Sequence, residues 1–284
     1  ISQPSLSAAV KKAEAQIGFP IFDRSSNHIQ LTELGKEYIR SIEIIMDVEN
    51  GFKNYINDMK ELKSGTIAIG GTNLFASYVL PPLLSRFTEQ YPQVQVNLVE
   101  ATTSQLTDRL FSGSLDLLID NKSMDPAIYQ KSFFCEEHLL LAVPIRLSVN
   151  EKMKNYALTA SDIRENRHLN SRIPPVPLEN FQDESFLLLK SGNDTRTRAD
   201  RICHNAHVIP KIKLELDQQI TAYNLSRYGM GISFCSDTLV RHVPDDEGLV
   251  YYKLNHQDAL REVNFYYKRN RYMPRIVSTF LDMI

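Results

Sequence analysis

No apolar run in the 284-residue chain is long enough to cross a bilayer, and its first residues carry no basic-then-apolar leader pattern. The expected location is therefore the cytoplasm, with no membrane partner. Cysteine is scarce: Cys135, Cys203 and Cys235 are odd in number and lack ligand-like spacing, so they make neither a disulfide framework nor a zinc motif and read as three buried thiols. The glycine pair in the IAIGGTN stretch has neither the full dinucleotide fingerprint nor a phosphate loop. His204 and His207 share a segment without a third matched ligand, and Glu136, Glu137 and His138 read as a solvated trio at a strand start. No metal site, cofactor or catalytic residue is expected, and the chain does not read as an enzyme. An excess of one charge is missing as well: 32 Lys+Arg stand against 34 Asp+Glu, for a formal net charge of -2. Global charge thus gives no nucleic-acid footprint, although it leaves room for a local one. With 43% hydrophobic residues, a substantial core and more than one domain are both within reach.

What is present begins at the first residue. Ser2 is placed to cap a helix with Pro4 in its first turn, and Leu6, Val10, Ala13 and Ile17 recur at helical spacing. The opposite face carries Gln3, Ser5, Ser7, Lys11 and Lys12. Its short hydrogen-bonding groups suit base edges, and its longer cations suit phosphate oxygens. A two-stranded wing follows: Ser25, Ser26 and Asn27 supply a turn between Ile21-Phe22 and Ile29-Leu31, and Thr32 caps the next helix. Arg24 is within reach of phosphate beside the wing, and an ordinary surface arginine is the competing reading; His28 divides between contact and solvent.

These residues resemble the second half of the winged helix-turn-helix of a LysR-type transcriptional regulator. The resemblance rests on the Ser2-Gln3-Pro4 helix start with Ser7, then Glu14, Gly18, Pro20, Phe22, Arg24, Leu31, Thr32 and Gly35 at the family's spacing. Ala8, Ala13, His28 and Leu34 depart from it, where a basic residue, leucine, arginine and alanine are usual. The family pattern carries roughly two dozen further residues upstream, including a helix that covers the recognition helix, so the N-terminal part of the motif reads as missing. That expectation puts DNA binding by these 284 residues alone in question. What the resemblance implies for DNA contact falls on Ser2, Gln3, Pro4, Ser5, Ser7, Lys11, Arg24 and His28.

From Thr32 to about Leu62 there is no proline. Tyr38, Ile42, Ile45, Phe52, Ile56 and Met59 fall at alternating four- and three-residue steps if Glu49 fills the gap. A rod of about 45 Å with an apolar seam needs a partner helix, and dimerisation is the expected role, with packing on the chain's own C-terminal part as the alternative. Gly51 marks where the rod would bend.

After Lys63-Ser64-Gly65 the pattern alternates strand and helix, which predicts a mixed α/β fold with a largely parallel sheet whose ligands gather beyond the strand ends. Thr72 and Asn73 follow the first strand; Thr102, Thr103 and Ser104 follow the second, at a helix start that favours an anion. HLLLAVP reads as the crossing into a second lobe. There the FLLLK strand precedes Ser191, Asn193 and Thr195, and Gly229 and Gly231 permit close backbone approach near a hinge. Arg196 and Arg198 would attract an anionic ligand or pair with carboxylates. The basic run Lys268, Arg269, Arg271 and Arg275 reads as a solvated face.

The resemblance implies a two-lobed, periplasmic-binding-protein-like effector domain. The expected organisation is residues 1–31 partial winged helix-turn-helix, 32–64 linker helix and hinge, and 65–284 regulatory domain with its second lobe at about 140–240. Expected effector contacts are Thr72, Asn73, Thr102, Thr103, Ser104, Ser191, Asn193, Thr195 and Gly231. Implied partners are double-stranded operator DNA, a small-molecule effector with anions among the candidates, a second copy in a homodimer or homotetramer, and RNA polymerase. The alternative is an isolated small-molecule-binding module without productive DNA binding.

Overall fold

The computed structural model describes residues 3–24, 29–58, 65–244 and 247–284. Ser2, His28 and Met59 lie outside them. Helix α1 (Gln3–Ile17) ends at Gly18, whose φ of 76° turns the chain out while its N–H still reaches the Glu14 carbonyl at 2.9 Å. The short strands β1 (Phe22–Asp23) and β2 (Gln30–Leu31) pair antiparallel, Phe22 opposite Leu31, as the wing pattern predicts.

The Thr32 hydroxyl accepts the Gly35 N–H at 2.8 Å and donates to the Pro20 carbonyl at 2.8 Å, so one side chain caps α2 (Glu33–Asp58) and ties it to the wing. Gly35 is needed there because a Cβ would lie 2.0 Å from the Ile21 carbonyl oxygen. The 26 residues of α2 give a rod of about 39 Å that passes Gly51 without a break. Ile45, Val48, Phe52, Tyr55 and Ile56 stay exposed along it.

Beyond the linker, β3 (Gly65–Gly71) leads through a π-helical turn into α3 (Leu80–Gln90), then β4 (Val94–Glu100), α4 (Thr103–Ser112) and β5 (Leu117–Asp120). Strand β3 lies parallel between β4 and β5. The 16-residue β6 (Tyr129–Pro144) then leaves this first lobe for the second. The second lobe continues through α5 (Val149–Lys152), α6 (Ala160–Arg164), β7 (Ser185–Leu189), α7 (Asp194–Asn205), β8 (Lys211–Leu216), α8 (Gln219–Arg227), β9 (Ile232–Ser236), α9 (Asp237–His242) and β10 (Leu249–Lys253). Finally β11 (Leu260–Lys268) returns to the first lobe, where α10 (Arg275–Met283) closes it.

Strands β6 and β11 run antiparallel from Leu260 opposite His138 to Lys268 opposite Tyr129, so two long neighbouring strands form the only strand crossings among the described residues. Each lobe has its own core. Ile67, Ile69, Phe87, Phe265 and Phe280 fill the first, and Leu141, Phe186, Phe234 and Tyr252 the second. Strand β10 pairs with residues 140–144 of β6, so the second lobe's sheet extends past residue 240. No local pattern announces that pairing because its partner lies more than a hundred residues away. Among the described residues, no helix is long and apolar enough to cross a membrane.

Candidate functional site

Two chain reversals build the walls of one cleft. After β4, Thr102 accepts the Gln105 N–H at 3.4 Å while the Gln105 side chain accepts the Thr102 N–H at 3.2 Å, a reciprocal cap that starts α4. After β7, the Asn193 side chain accepts the Thr195 N–H at 2.9 Å and starts α7. Between these helix starts lies a cavity of about 320 Å³. Thr72, Asn73, Thr102, Thr103 and Ser104 line it from the first lobe, and Ser191, Asn193 and Thr195 from the second. Gly231 does not line it, and that expectation is corrected. It lies under β7, where a Cβ would be 2.7 Å from the Ser185 carbonyl oxygen, so its small size serves packing.

The reading by strand ends passed over several lining residues. Asn121 and Lys122 directly follow β5, and Asp217 follows β8, so the same rule reaches them once those strands are placed. Asp120 is buried and accepts the Thr103 hydroxyl at 2.8 Å and the Lys122 N–H at 2.7 Å. Burial nevertheless pushes its carboxyl above the ordinary range, against those hydrogen bonds and the Arg261 charge.

Arg261 had no local signal at all, since it arrives on the return strand β11. Fully buried, it donates from Nε to Glu137 Oε2 at 2.6 Å and from Nη1 to Asp194 Oδ2 at 2.9 Å and Thr195 Oγ1 at 3.0 Å. Asn121 donates to the same Glu137 oxygen at 3.0 Å. One guanidinium thus ties both crossing strands to the first turn of α7, with Asn121 of the first lobe attached. Desolvation alone would lower its pKa, but Glu137 and Asp194 outweigh this and raise it, keeping the cation firmly protonated.

The two arginines near the start of α7 are already paired. Arg196 binds Asp200 and Glu215, and Arg198 binds Asp194, so neither is a loose cation aimed at a ligand. The solvated trio is also corrected: Glu137 is buried under Arg261, and His138 joins His168 and Asp237, with donor atoms within 4.8 Å of one another. Asp237 Oδ2 holds His168 Nε2 at 3.0 Å and Arg241 Nη2 at 3.1 Å. That oxygen thus carries both the imidazole and the guanidinium. Burial would raise the Asp237 carboxyl, yet hydrogen bonds from His138, His168 and Arg241 hold it well below the carboxylate range. Cys203 and Cys235 are buried as expected, whereas Cys135 is half-buried. Desolvation pushes the Cys135 and Cys203 thiols up to about 12, and Cys235 higher still.

At the other end of the chain, Ser5, Ser7 and Lys11 lie exposed on α1, while Gln3 and Pro4 are its first residues. Leu6 on the apolar side is 56% exposed, whereas Val10, Ala13 and Ile17 along the same side are half-buried. Glu14 turns out to organise the wing. One oxygen accepts the Ile21 N–H at 2.9 Å and the Phe22 N–H at 3.2 Å, and the other pairs with Arg24 at 3.2 Å. The Phe22 N–H leads in lowering its pKa, with burial opposing and Ile21, Arg24 and Lys11 assisting. Arg24 is therefore oriented by Glu14 and half-exposed, rather than free.

A family described as "LysR substrate binding domain" matches residues 60–284, and one described as "Bacterial regulatory helix-turn-helix protein, lysR family" matches residues 1–36. An uncharacterised HTH-type transcriptional regulator of Bacillus subtilis (strain 168), YcgK, is 27% identical over 286 residues, covering 100% of this chain and 86% of that protein. A probable RuBisCO transcriptional regulator of Synechocystis sp. is 24% identical over 288 residues, covering 99% of this chain and 77% of that protein. Among solved structures, full-length OxyR from Pseudomonas aeruginosa superimposes with a TM-score of 0.71 at 21% identity, covering 100% of this chain and 88% of that one. Full-length CbnR in complex with its target DNA gives 0.64 at 16% identity, with 100% and 90% covered. At these identities the two structures speak for the fold.

Proposed function

Because the chain belongs to the LysR-type family of bacterial transcriptional regulators, we propose that it reads operator DNA through α1 and the wing, pairs with a second copy along α2, and is controlled by a small molecule in the cleft. The observation that carries the control step is the meeting of hydroxyl, amide and helix-start groups from both lobes around one cavity. In this reading residues 1–31 belong to the DNA reader, 32–64 to the linker and 65–284 to the regulatory domain.

Thr102, Thr103 and Ser104 present the N-terminus of α4, and Lys122 adds a cation while Lys190 is paired with Asp217, which together support a compact polar effector bearing an acid group. Thr72, Asn73, Ser191, Asn193 and Thr195 complete its hydrogen bonds. Regulation follows if the effector binds two lobe arrangements unequally, since equal affinity shifts nothing. The changed pairing of regulatory domains would then alter the spacing of two α1 helices on DNA. Homodimer or homotetramer formation, contact with RNA polymerase and a cytoplasmic location belong to the same reading; turnover of the effector does not.

The test is salt-controlled protection of the protein's own promoter region beside scrambled DNA. Protection of two half-sites supports the reading, and changing Gln3 or Ser5 should relax base preference. A folded dimer with no preference over scrambled DNA, with or without a panel of small carboxylic acids, would refute it in favour of an isolated binding module.

A further inference from the structure

We propose that α4 is a stiff rod between the effector cleft and the linker helix, and that Asp47 with Arg271 is the latch holding the linker to its far end. The proposal rests on the regulatory reading and adds the route by which cleft and DNA reader communicate.

At its cleft end, α4 begins with Thr103 and Ser104, and the Thr103 hydroxyl is anchored on buried Asp120. Ten residues later, about 15 Å along the axis, the helix stops at Gly113 with φ 79°. Here it meets α2. Asp47 is only 5% exposed on a helix whose neighbouring positions are open, because its carboxylate is inserted between the end of α4 and the C-terminal basic run. Lys268 Nζ lies 3.1 Å from Oδ2, and Arg271 Nε forms an ion pair with Oδ1 at 2.6 Å.

The same Arg271 donates to the Gly113 carbonyl at 3.2 Å, the Leu115 carbonyl at 3.3 Å and Asp116 Oδ1 at 3.0 Å. It therefore grips the α4 terminus and the linker together. A Cβ on Gly113 would sit 1.9 Å from Asp47 Oδ1, so the missing side chain is what admits the carboxylate. On the last turn, the Phe111 ring has the Arg40 guanidinium 4.6 Å away and Lys268 Nζ 5.2 Å away, a second contact between α2 and α4. Tyr55 against Tyr272, ring centres 5.4 Å apart, extends the docking further along the linker.

A buried ion pair adds little net stability, but separating its members is costly, so the linker leaves the end of α4 only by uncovering Asp47 and Arg271 together. A short helix transmits a shift of its first turn to its last, because its internal hydrogen bonds resist compression. Effector contact at Thr103 and linker docking at Asp47 therefore bias the same body, which is the physical condition for coupling.

Amide hydrogen exchange on the whole protein, without DNA or effector, tests the rod. Asp47→Asn keeps the side-chain shape and removes the charge. Exchange should quicken on the order of tenfold or more in residues 40–52 and also in residues 103–106 at the cleft. Arg271→Gln should give the same pattern, and the double variant should add little to either. Glu43→Gln, an exposed position on the same helix, should change neither segment. Faster exchange confined to the linker, or no change at all, overturns the proposal. Operator binding with linker-only loosening sinks the rod and spares the regulatory reading; no operator binding with both segments loosened does the reverse.

Discussion

Replacing Arg261 by methionine removes a guanidinium and leaves comparable apolar volume. The lost partners are Glu137 at 2.6 Å, Asp194 at 2.9 Å and Thr195 at 3.0 Å, and Glu137 is wholly buried. Asp194 keeps Arg198 at 2.7 Å, but among the described residues Glu137 keeps only the Asn121 amide at 3.0 Å. The cost is thus dominated by one buried carboxylate stripped of its counter-ion, about 3–5 kcal/mol. In a domain of this size each kcal/mol moves the melting point by about 2–4 °C, so the effector domain should melt about 6–20 °C lower. Thermal unfolding followed by circular dichroism at pH 7 reads this directly. Adding Glu137→Gln should recover a large part of the loss, because a neutral amide no longer needs a cation. A drop of less than about 1 kcal/mol in the single variant, or no recovery in the double, would refute the claim that the pair is desolvated and structurally coupled.

Further outcomes follow from other contacts. Asp237 has a depressed folded-state pKa, so its contribution is complete above the unfolded carboxylate value near 4 and is lost only as pH falls through the lower folded value. Asp237→Asn should therefore lower the melting point most at neutral pH, and the gap to the parent should narrow in acid below about pH 4; a gap independent of pH contradicts the assignment. Gly35→Ala puts a Cβ 2.0 Å from the Ile21 carbonyl and should abolish specific operator binding while the melting of the effector domain stays unchanged. Both properties moving together in calorimetry and footprinting would argue against a local junction. If Lys11 meets a phosphate, Lys11→Ala should weaken binding to all DNA alike and reduce the salt slope by about 1; sequence-selective loss would instead place it on a base.

Much of the fold was legible because its determinants are local. The Thr32 cap, the pairing of the wing strands and the alternation after Gly65 each depend on neighbours within a few residues, and each formed as the pattern predicts. The same holds for cleft residues at strand ends, such as Thr102 and Asn193, whose side chains cap the helices that start there. Gly231 failed because glycine is demanded equally by close packing and by a binding loop, and composition does not separate the two. The basic run at Lys268 and Arg271 was read as solvated, but Asp47, more than two hundred positions earlier, occupies it.

By itself, then, the sequence determined the family, the order of reader, linker and lobes, and the helix starts that converge on the cleft, since periodicity, caps and turn residues act over a few bonds. Tertiary structure alone decided which charges are buried together. Glu137 with Arg261, His168 with Asp237 and Asp47 with Arg271 are separated by 124, 69 and more than two hundred positions. In each pair the charge of one member becomes tolerable only after the chain has closed the loop that delivers the other.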